Sequence, residues 1–150
     1  MARSRNNAVK PLAVLDSSVV VSGIGWAGGN ARTVLVLLAR RAFISVRTPW
    51  LTDEWTDVVQ RVAEESPRWQ NPNWPRWLDW LKRASTLVED PPIKRIVRSD
   101  PKDDPIVAGA VSCHARFLVA YDRHLLDLQK PYGVSCVTPR VFVAALLKAP

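Results

Sequence analysis

Acidic side chains occur in this sequence at points where chemistry, rather than packing, has to explain them. Asp16 directly follows the apolar run AVL, and Asp122 lies just beyond the apolar run FLVA. Burying a carboxylate costs several kcal/mol unless it is paired, hydrogen-bonded or neutralised by a metal ion. The two aspartates therefore indicate a site that needs negative charge at the ends of two strands.

Further acids lie near the starts of helices that precede or follow predicted strands. Asp103 and Asp104 open the helix predicted to lead into FLVA, and one of this adjacent pair is expected to be an ordinary helix cap. Glu54 lies in the first turns of the helix predicted after FISV. On its own Glu54 would be interpreted as a solvent-facing helix acid, like its neighbours Asp53 and Asp57.

The elements that position these acids follow from apolar periodicity and turn residues. Strands are predicted at 13–15, 43–46, 85–90, 116–122 and 133–137, and helices at 31–42, 49–65, 76–84, 103–115, 123–128 and 139–148. The glycine-rich segment 22–30 is predicted to be a loop, and Thr48 and Thr138, each followed by proline, are predicted helix caps. The alternation of strands and helices predicts an α/β fold with a mainly parallel sheet between two layers of helices. Ligands bind such sheets at the carboxyl ends of the strands, where the acids are expected to meet.

Converging carboxylates favour a divalent cation. Without one, each close pair would repel by up to about 4 kcal/mol at an effective dielectric constant of 20. Carboxylate oxygens suit Mg²⁺ or Mn²⁺, which keep positions for water and substrate phosphates. The chain as a whole carries a formal charge of +7. An acidic, metal-loaded pocket in a basic protein fits hydrolysis of a nucleic-acid backbone.

Length and composition set the domain organisation. Residues 1–11 are expected to form a flexible basic arm and residues 12–150 a single domain. The chain has neither a run of about 18 apolar residues nor the apolar core of a signal peptide, so a cytoplasmic protein is expected. Cys113 and Cys136 are expected to be two buried, reduced thiols. Six of the seven tryptophans fall between residues 50 and 80, and core packing is favoured for them over a base-stacking platform.

Four segments in order resemble a known family. LDSSVVVSGIGWAGG, TPWLTDEWTDVVQR, DPKDDPIVAGAVSCHARFLVAYDRHLLDL and VTPRVFVAALL are similar to a PIN domain, specifically the VapC-like toxins of toxin–antitoxin systems. The resemblance runs from about Val14 to Leu147. It implies a three-layer α/β/α sandwich and a metal-dependent ribonuclease.

The resemblance also implies roles for individual residues. Asp16, Glu54, Asp104 and Asp122 would hold Mg²⁺ or Mn²⁺ and position the attacking water, with Asp103 as an alternative to Asp104. The charge of the basic loop 94–102, and of the residue after the last acid, leads us to expect that these side chains hold the RNA backbone: Lys94, Arg95, Arg98, Lys102 and Arg123. The N-terminal arm would add further positive charge.

The sequence departs from the family pattern beside the acids. Ser17 and Ser18 stand where the family usually has Thr-Asn, and Ala120 and Tyr121 replace a hydroxyl residue and a glycine that are common before the last acid. Loss of such supporting groups typically costs about 10- to 100-fold in metal affinity or activity. A catalytically weakened module that binds nucleic acid or a protein partner is therefore the alternative function.

The resemblance implies partners as well. A small antitoxin would dock over the acidic cleft, and a homodimer would form through the Trp-rich helical hairpin at 50–84. A phosphatase of the haloacid dehalogenase type is disfavoured, because Ser18 stands where that chemistry needs a second aspartate.

Overall fold

A computed structural model of the chain describes residues 9–92, 101 and 104–148. Five strands are present: β1 (Leu12–Leu15), β2 (Ile44–Arg47), β3 (Thr86–Leu87), β4 (Phe117–Val119) and β5 (Ser135–Val137). The helices are α1 (Ser17–Gly25), α2 (Asn30–Ala39), α3 (Pro49–Glu65), α4 (Trp74–Ala84), α5 (Pro105–Ser112), α6 (Arg123–Leu126) and α7 (Pro139–Lys148). The predicted N-terminal arm lies mostly outside the described residues.

The strands form one parallel sheet in the order β3-β2-β1-β4-β5. The central strand β1 pairs with β2 through Leu12 and Ile44, and with β4 through Val14 and Leu118. Helices flank the sheet, so the predicted α/β class with a parallel sheet is confirmed. The chain leaves β1 towards β2 on one side and later returns to its other side as β4. This change of direction creates a topological switch point between β1 and β4.

Helix α3 begins and ends where the sequence predicts. The Thr48 hydroxyl accepts a hydrogen bond from the Leu51 backbone N–H at 3.1 Å, and Pro49 occupies the first turn. Trp55 is fully buried, and its indole Nε1–H donates to the Leu15 carbonyl oxygen at 2.8 Å. This bond fixes the first turns of α3 against the end of β1, and so holds the neighbouring Glu54 near that edge of the sheet.

The prediction of a loop over residues 22–30 is wrong in its first part, because α1 continues through Gly25. The glycines allow close packing there instead of breaking the helix. A Cβ atom on Gly23 would lie 2.8 Å from Leu35 Cδ1, and one on Gly25 would overlap the ring of Trp69. Both glycines are therefore needed where α1 contacts its neighbours.

Aromatic side chains fill the core on both sides of β1. Phe142 of α7 makes edge-to-face contacts with Phe43 and Phe117, at ring-centroid distances of 4.9 and 5.2 Å. The core-packing prediction holds for five of the six clustered tryptophans: Trp55 is buried, and Trp69, Trp74, Trp77 and Trp80 pack against the core. Trp50 differs, because 37% of its surface is exposed.

Other expectations can be compared with the described part of the chain. Cys113 and Cys136 are both unpaired, as predicted, but only Cys136 is buried, and Cys113 is partly exposed. No described helix is long and apolar enough to cross a membrane. The third strand is shorter than predicted and covers only Thr86–Leu87.

Candidate active site

The carboxyl ends of β1 and β4 each lead into an aspartate that caps a helix. Asp16 is the N-cap of α1, and Asp122 is the N-cap of α6. The backbone N–H of Asp16 donates to the Val119 carbonyl oxygen at 2.9 Å, which extends the pairing of β1 and β4 to this point. The two carboxylates therefore flank the switch point, where α/β sheets bind ligands.

Asp104 repeats the same local geometry at the start of α5. In all three caps, one carboxylate oxygen accepts a hydrogen bond from the backbone N–H two residues later. The distances are 3.4 Å from Ser18 N to Asp16, 3.1 Å from Ile106 N to Asp104 and 2.8 Å from His124 N to Asp122. Each cap bond uses one oxygen, so the carboxylate retains a second oxygen for other ligands.

Glu54 of α3 completes the set of predicted acids in one cleft. The cleft has a volume of about 400 Å³. Its lining comprises Asp16, Ser17, Ser18, Trp50, Glu54, Val58, Arg61, Asp104, Ile106, Asp122 and Leu125. The structure thus brings together the four acids that the sequence indicated, although they are separated along the chain by as many as 106 residues.

The electrostatics of the cleft centre on Asp16. Burial raises the pKa of the Asp16 carboxyl above its ordinary value of 3.8, and the nearby Asp122 charge raises it further. Hydrogen bonds from Ser18 and from the Ser17 backbone act in the opposite direction and favour the charged form. Asp16 and Asp122 therefore repel each other, and a cation between them would relieve that repulsion.

Ser18 supports both aspartate-bearing segments. Its hydroxyl donates to Asp16 Oδ2 at 2.6 Å and accepts from the Tyr121 backbone N–H at 3.1 Å. The serine that replaces the asparagine usual in the family pattern thus links Asp16 to the residue before Asp122. The departure at this position alters the supporting contact without removing it.

The donors in the cleft suit a hard divalent cation. They are carboxylate and hydroxyl oxygens, the ligand type that Mg²⁺ and Mn²⁺ prefer. Among the described residues, which omit Asp103, no group of three His, Cys, Asp or Glu side chains is clustered closely enough to hold a metal ion unaided. Mg²⁺ commonly binds through only one or two carboxylates plus water and substrate phosphates, so the acids present fit such an ion.

Several predicted binding residues are not placed by the structure. Lys94, Arg95, Arg98, Lys102 and the alternative acid Asp103 lie outside the described residues. Arg123 is described: it follows Asp122 on the surface, and its Nε lies 3.9 Å from Asp127 Oδ1 in an exposed ion pair. Such exposed pairs contribute little to stability.

Five lining residues are not among the predicted site residues, and two of them, Trp50 and Arg61, carry groups that could bind a substrate. Trp50 lies four residues before Glu54, and Arg61 lies seven residues after it. Both spacings place a side chain on the same helical face as Glu54, and this periodicity was the signal that could have found them. Composition alone groups Trp50 with the other tryptophans, and Arg61 lies outside the predicted motifs.

Comparisons with known proteins agree with this geometry. The crystal structure of PAE2754 from Pyrobaculum aerophilum superimposes with a TM-score of 0.61 and 17% sequence identity, over 95% of this chain and 92% of that one. This similarity supports the fold. A search of curated proteins finds no match.

The family model described as PIN domain matches residues 12–124. This span is about three quarters of the chain and contains all four acids that line the cleft. The chain belongs to the PIN domain family, whose members are generally nucleases and typically use divalent metal ions.

Proposed function

We propose that this protein is a metal-dependent ribonuclease that hydrolyses RNA phosphodiester bonds with a metal-activated water. The observation that carries the proposal is the convergence of Asp16, Glu54, Asp104 and Asp122 on one cleft at the switch point of the sheet. The chain outside these four acids is strongly basic, because its formal charge is +7 with them included. A basic protein with an acidic cleft is suited to a polyanionic backbone and a bound cation.

The positions of the four acids suggest two roles in the reaction. Asp16 and Asp122 flank the switch point and would hold Mg²⁺ or Mn²⁺ through the oxygens that their cap bonds leave available. Glu54 and Asp104 line the same space and would accept hydrogen bonds from the attacking water. The bound ion would neutralise the phosphate and lower the pKa of a coordinated water. Ser18 keeps Asp16 charged and oriented by donating to its Oδ2.

The first test is cleavage of a mixed pool of labelled RNAs by the purified chain with Mn²⁺, Mg²⁺ or EDTA. Asp16→Asn and Asp122→Asn should not cleave RNA, because each variant loses a carboxylate charge. Each asparagine keeps an acceptor for the helix cap, so the fold should be retained. Asp127→Asn is the matched control, since Asp127 is exposed and outside the cleft lining. Metal-dependent cleavage by the wild type and the control alone would support the proposal.

An inert wild type that still binds RNA would overturn the nuclease proposal. It would favour instead a binding module weakened by the departures at Ser18 and Ala120. Equal cleavage by wild type and both cleft variants would also contradict the proposal, because the charges of Asp16 and Asp122 would then have no part in the reaction.

We further propose that the protein acts as the toxin of a toxin–antitoxin pair, as its resemblance to that group implies. A small antitoxin would cover the acidic cleft and insert a basic side chain among the carboxylates. Co-expression with the product of a short adjacent reading frame tests this. A stable complex in which cleavage is suppressed is expected, and a co-expressed product that neither binds nor inhibits would refute the pairing.

A homodimer is the other proposed assembly, formed by the Trp-rich hairpin at 50–84. Two tryptophans of this hairpin, Trp77 and Trp80, are only partly buried. They line an apolar groove of about 380 Å³ beside α2. Sedimentation of the purified chain should report a dimer, and Trp80→Glu should report a monomer. A monomeric wild type at all concentrations would exclude this interface.

A further inference from the structure

One stripe along α3 presents an aromatic, an acidic, an aliphatic and a basic side chain to the candidate active site. Trp50, Glu54, Val58 and Arg61 follow each other at intervals of four, four and three residues, which keeps them on one helical face. All four line the acidic cleft. An aromatic residue, an acid and a cation are thus arranged in order along one rigid element.

Trp50 is placed differently from the other tryptophans of the hairpin. It is 37% exposed at the cleft, whereas Trp55, on another face of the same helix, is fully buried. The Trp50 backbone N–H lies 3.2 Å from each carboxylate oxygen of Asp90, which fixes the start of the helix from a distant part of the chain. The backbone of Trp50 is therefore held in place, and part of the Trp50 side chain is exposed to solvent.

Arg61 is the cation of this lining. The ion pair found among the described residues joins Arg123 and Asp127, so Arg61 is not held within 4 Å of any described acid. With a rise of about 1.5 Å per residue, Arg61 lies about 16 Å along the helix axis from Trp50, with Glu54 about 6 Å from Trp50. The acid therefore stands between an aromatic surface and a guanidinium group.

We propose that Trp50 and Arg61 bind the substrate strand on either side of Glu54. The Trp50 indole stacks on one nucleobase, and the Arg61 guanidinium binds a backbone phosphate beyond the acids. This assignment rests on the proposed ribonuclease function for its substrate. A base can stack on Trp50 only when it is free of its neighbours, so the stripe selects strands that are unpaired at the cleavage site.

Binding of a fluorescein-labelled single-stranded RNA tests the assignment. It is measured in the Asp16→Asn background with Mn²⁺ present, so that cleavage does not interfere. Trp50→Ala should weaken binding about 5- to 150-fold, the range measured for loss of one stacked base, while Trp50→Phe keeps most of the affinity. Tyr132→Ala is the matched control, because Tyr132 is an exposed aromatic residue outside the cleft lining. It should bind normally.

Salt dependence separates the two contacts. Arg61→Ala should reduce the magnitude of the slope of log K against log salt by about 0.7, the value for one phosphate contact on a single strand. Trp50→Ala should leave that slope unchanged. Arg83→Ala removes an exposed cation from α4 and is the control for Arg61. An unchanged slope in Arg61→Ala would exclude the phosphate contact.

RNAs with a single abasic site locate the stacked base. In the Asp16→Asn background with Trp50 intact, an abasic site at one position should lose affinity as strongly as Trp50→Ala does, and the two changes together should cost no more than either alone. In the cleaving protein, Trp50→Ala should raise KM and leave kcat near the wild-type value. Full affinity in Trp50→Ala would overturn the stacking assignment even if cleavage is observed. If Trp50→Ala loses affinity and the protein with Asp16 intact cleaves no RNA, the stacking assignment stands and the ribonuclease proposal is refuted.

Discussion

Replacing Ser18 with alanine tests whether one hydroxyl supports both aspartate-bearing ends of the site. The change removes the 2.6 Å bond to Asp16 Oδ2 and the 3.1 Å bond from the Tyr121 backbone N–H. A neutral hydrogen bond contributes about 0.5–1.5 kcal/mol, and one to a charged group about 1.5–3 kcal/mol. Ser18 is only half-buried, so the lower ends apply and the free energy of unfolding should fall by about 2 kcal/mol. For a chain of this size Tm should drop by about 4–8 °C.

The same substitution should change the pH dependence of cleavage. The hydrogen bond from the Ser18 hydroxyl lowers the pKa of Asp16, so its loss raises that pKa further, while the backbone N–H of residue 18 still donates to Asp16. A metal ligand must be deprotonated, and the acidic limb of the rate profile should therefore move to higher pH, with metal affinity reduced about 10- to 100-fold. Thermal unfolding and cleavage from pH 5 to 8 measure both effects. Ser18→Thr, which keeps the hydroxyl, should restore most of each.

Ser22→Ala is the matched control, because Ser22 is a half-buried serine of the same helix outside the cleft lining. It should match the wild type in Tm and in pH profile. If Ser18→Ala also matches the wild type, the bridging role of Ser18 is refuted. If Ser18→Ala loses stability but keeps the wild-type pH profile, the hydroxyl supports the fold and does not hold the charge of Asp16.

Three further predictions concern stability and reactivity. Burial, and to a lesser extent the Asp122 charge, raise the pKa of Asp16, so the folded chain binds the carboxyl proton of Asp16 more tightly than the unfolded chain does. The contribution of Asp16 to the free energy of unfolding therefore falls as pH rises from 3.8 through the raised pKa. Asp16→Asn should therefore have a higher Tm than wild type at pH 7, and the gain should vanish as pH falls below about 4; a constant difference across this range would contradict the linkage. Gly25→Ala should lower the free energy of unfolding by about 1–3 kcal/mol, because its Cβ would overlap Trp69, whereas Gly29→Ala has open space and should lose less in urea denaturation. Burial raises the pKa of Cys136 to about 11, with Asp104 adding to the shift, so iodoacetamide at pH 8 should label the native thiol far more slowly than the urea-unfolded one. Equal labelling rates would show that the thiol is not protected.

The sheet and most helices were predictable because their signals are local. Thr48 followed by Pro49 marks the start of α3, and the apolar spacing after it continues to the observed end at Glu65. The error at residues 22–30 has a tertiary cause. Gly23 and Gly25 weaken a helix locally, yet α1 needs both where it contacts Leu35 and Trp69, and the sequence does not reveal those contacts.

Asp16 and Asp122 were predictable for a related reason, whereas the roles of Glu54 and Asp104 followed from the family resemblance. A carboxylate directly after an apolar strand is costly, and the parallel topology gathers such strand ends at one edge. The supporting contacts were harder to predict. The Ser18 hydroxyl bonds to the Tyr121 backbone N–H, 103 residues away, and no local pattern encodes such a pairing. Trp50 was assigned with its neighbours by composition, although the spacing to Glu54 on one helical face distinguished it.

The recurrence of aspartate as helix N-cap explains how the fold keeps several acids close together. Each of Asp16, Asp104 and Asp122 satisfies a backbone N–H at a helix start, where the helix dipole favours negative charge. Asparagine caps a helix about as well as aspartate does, whereas alanine costs about 1 kcal/mol. Substitution of a cleft aspartate by asparagine should therefore remove the charge and leave the helix, and substitution by alanine should remove both. If Asp104→Asn and Asp104→Ala lose cleavage equally while only the alanine variant loses stability, the carboxylate acts in the reaction through its charge and in the fold through its cap.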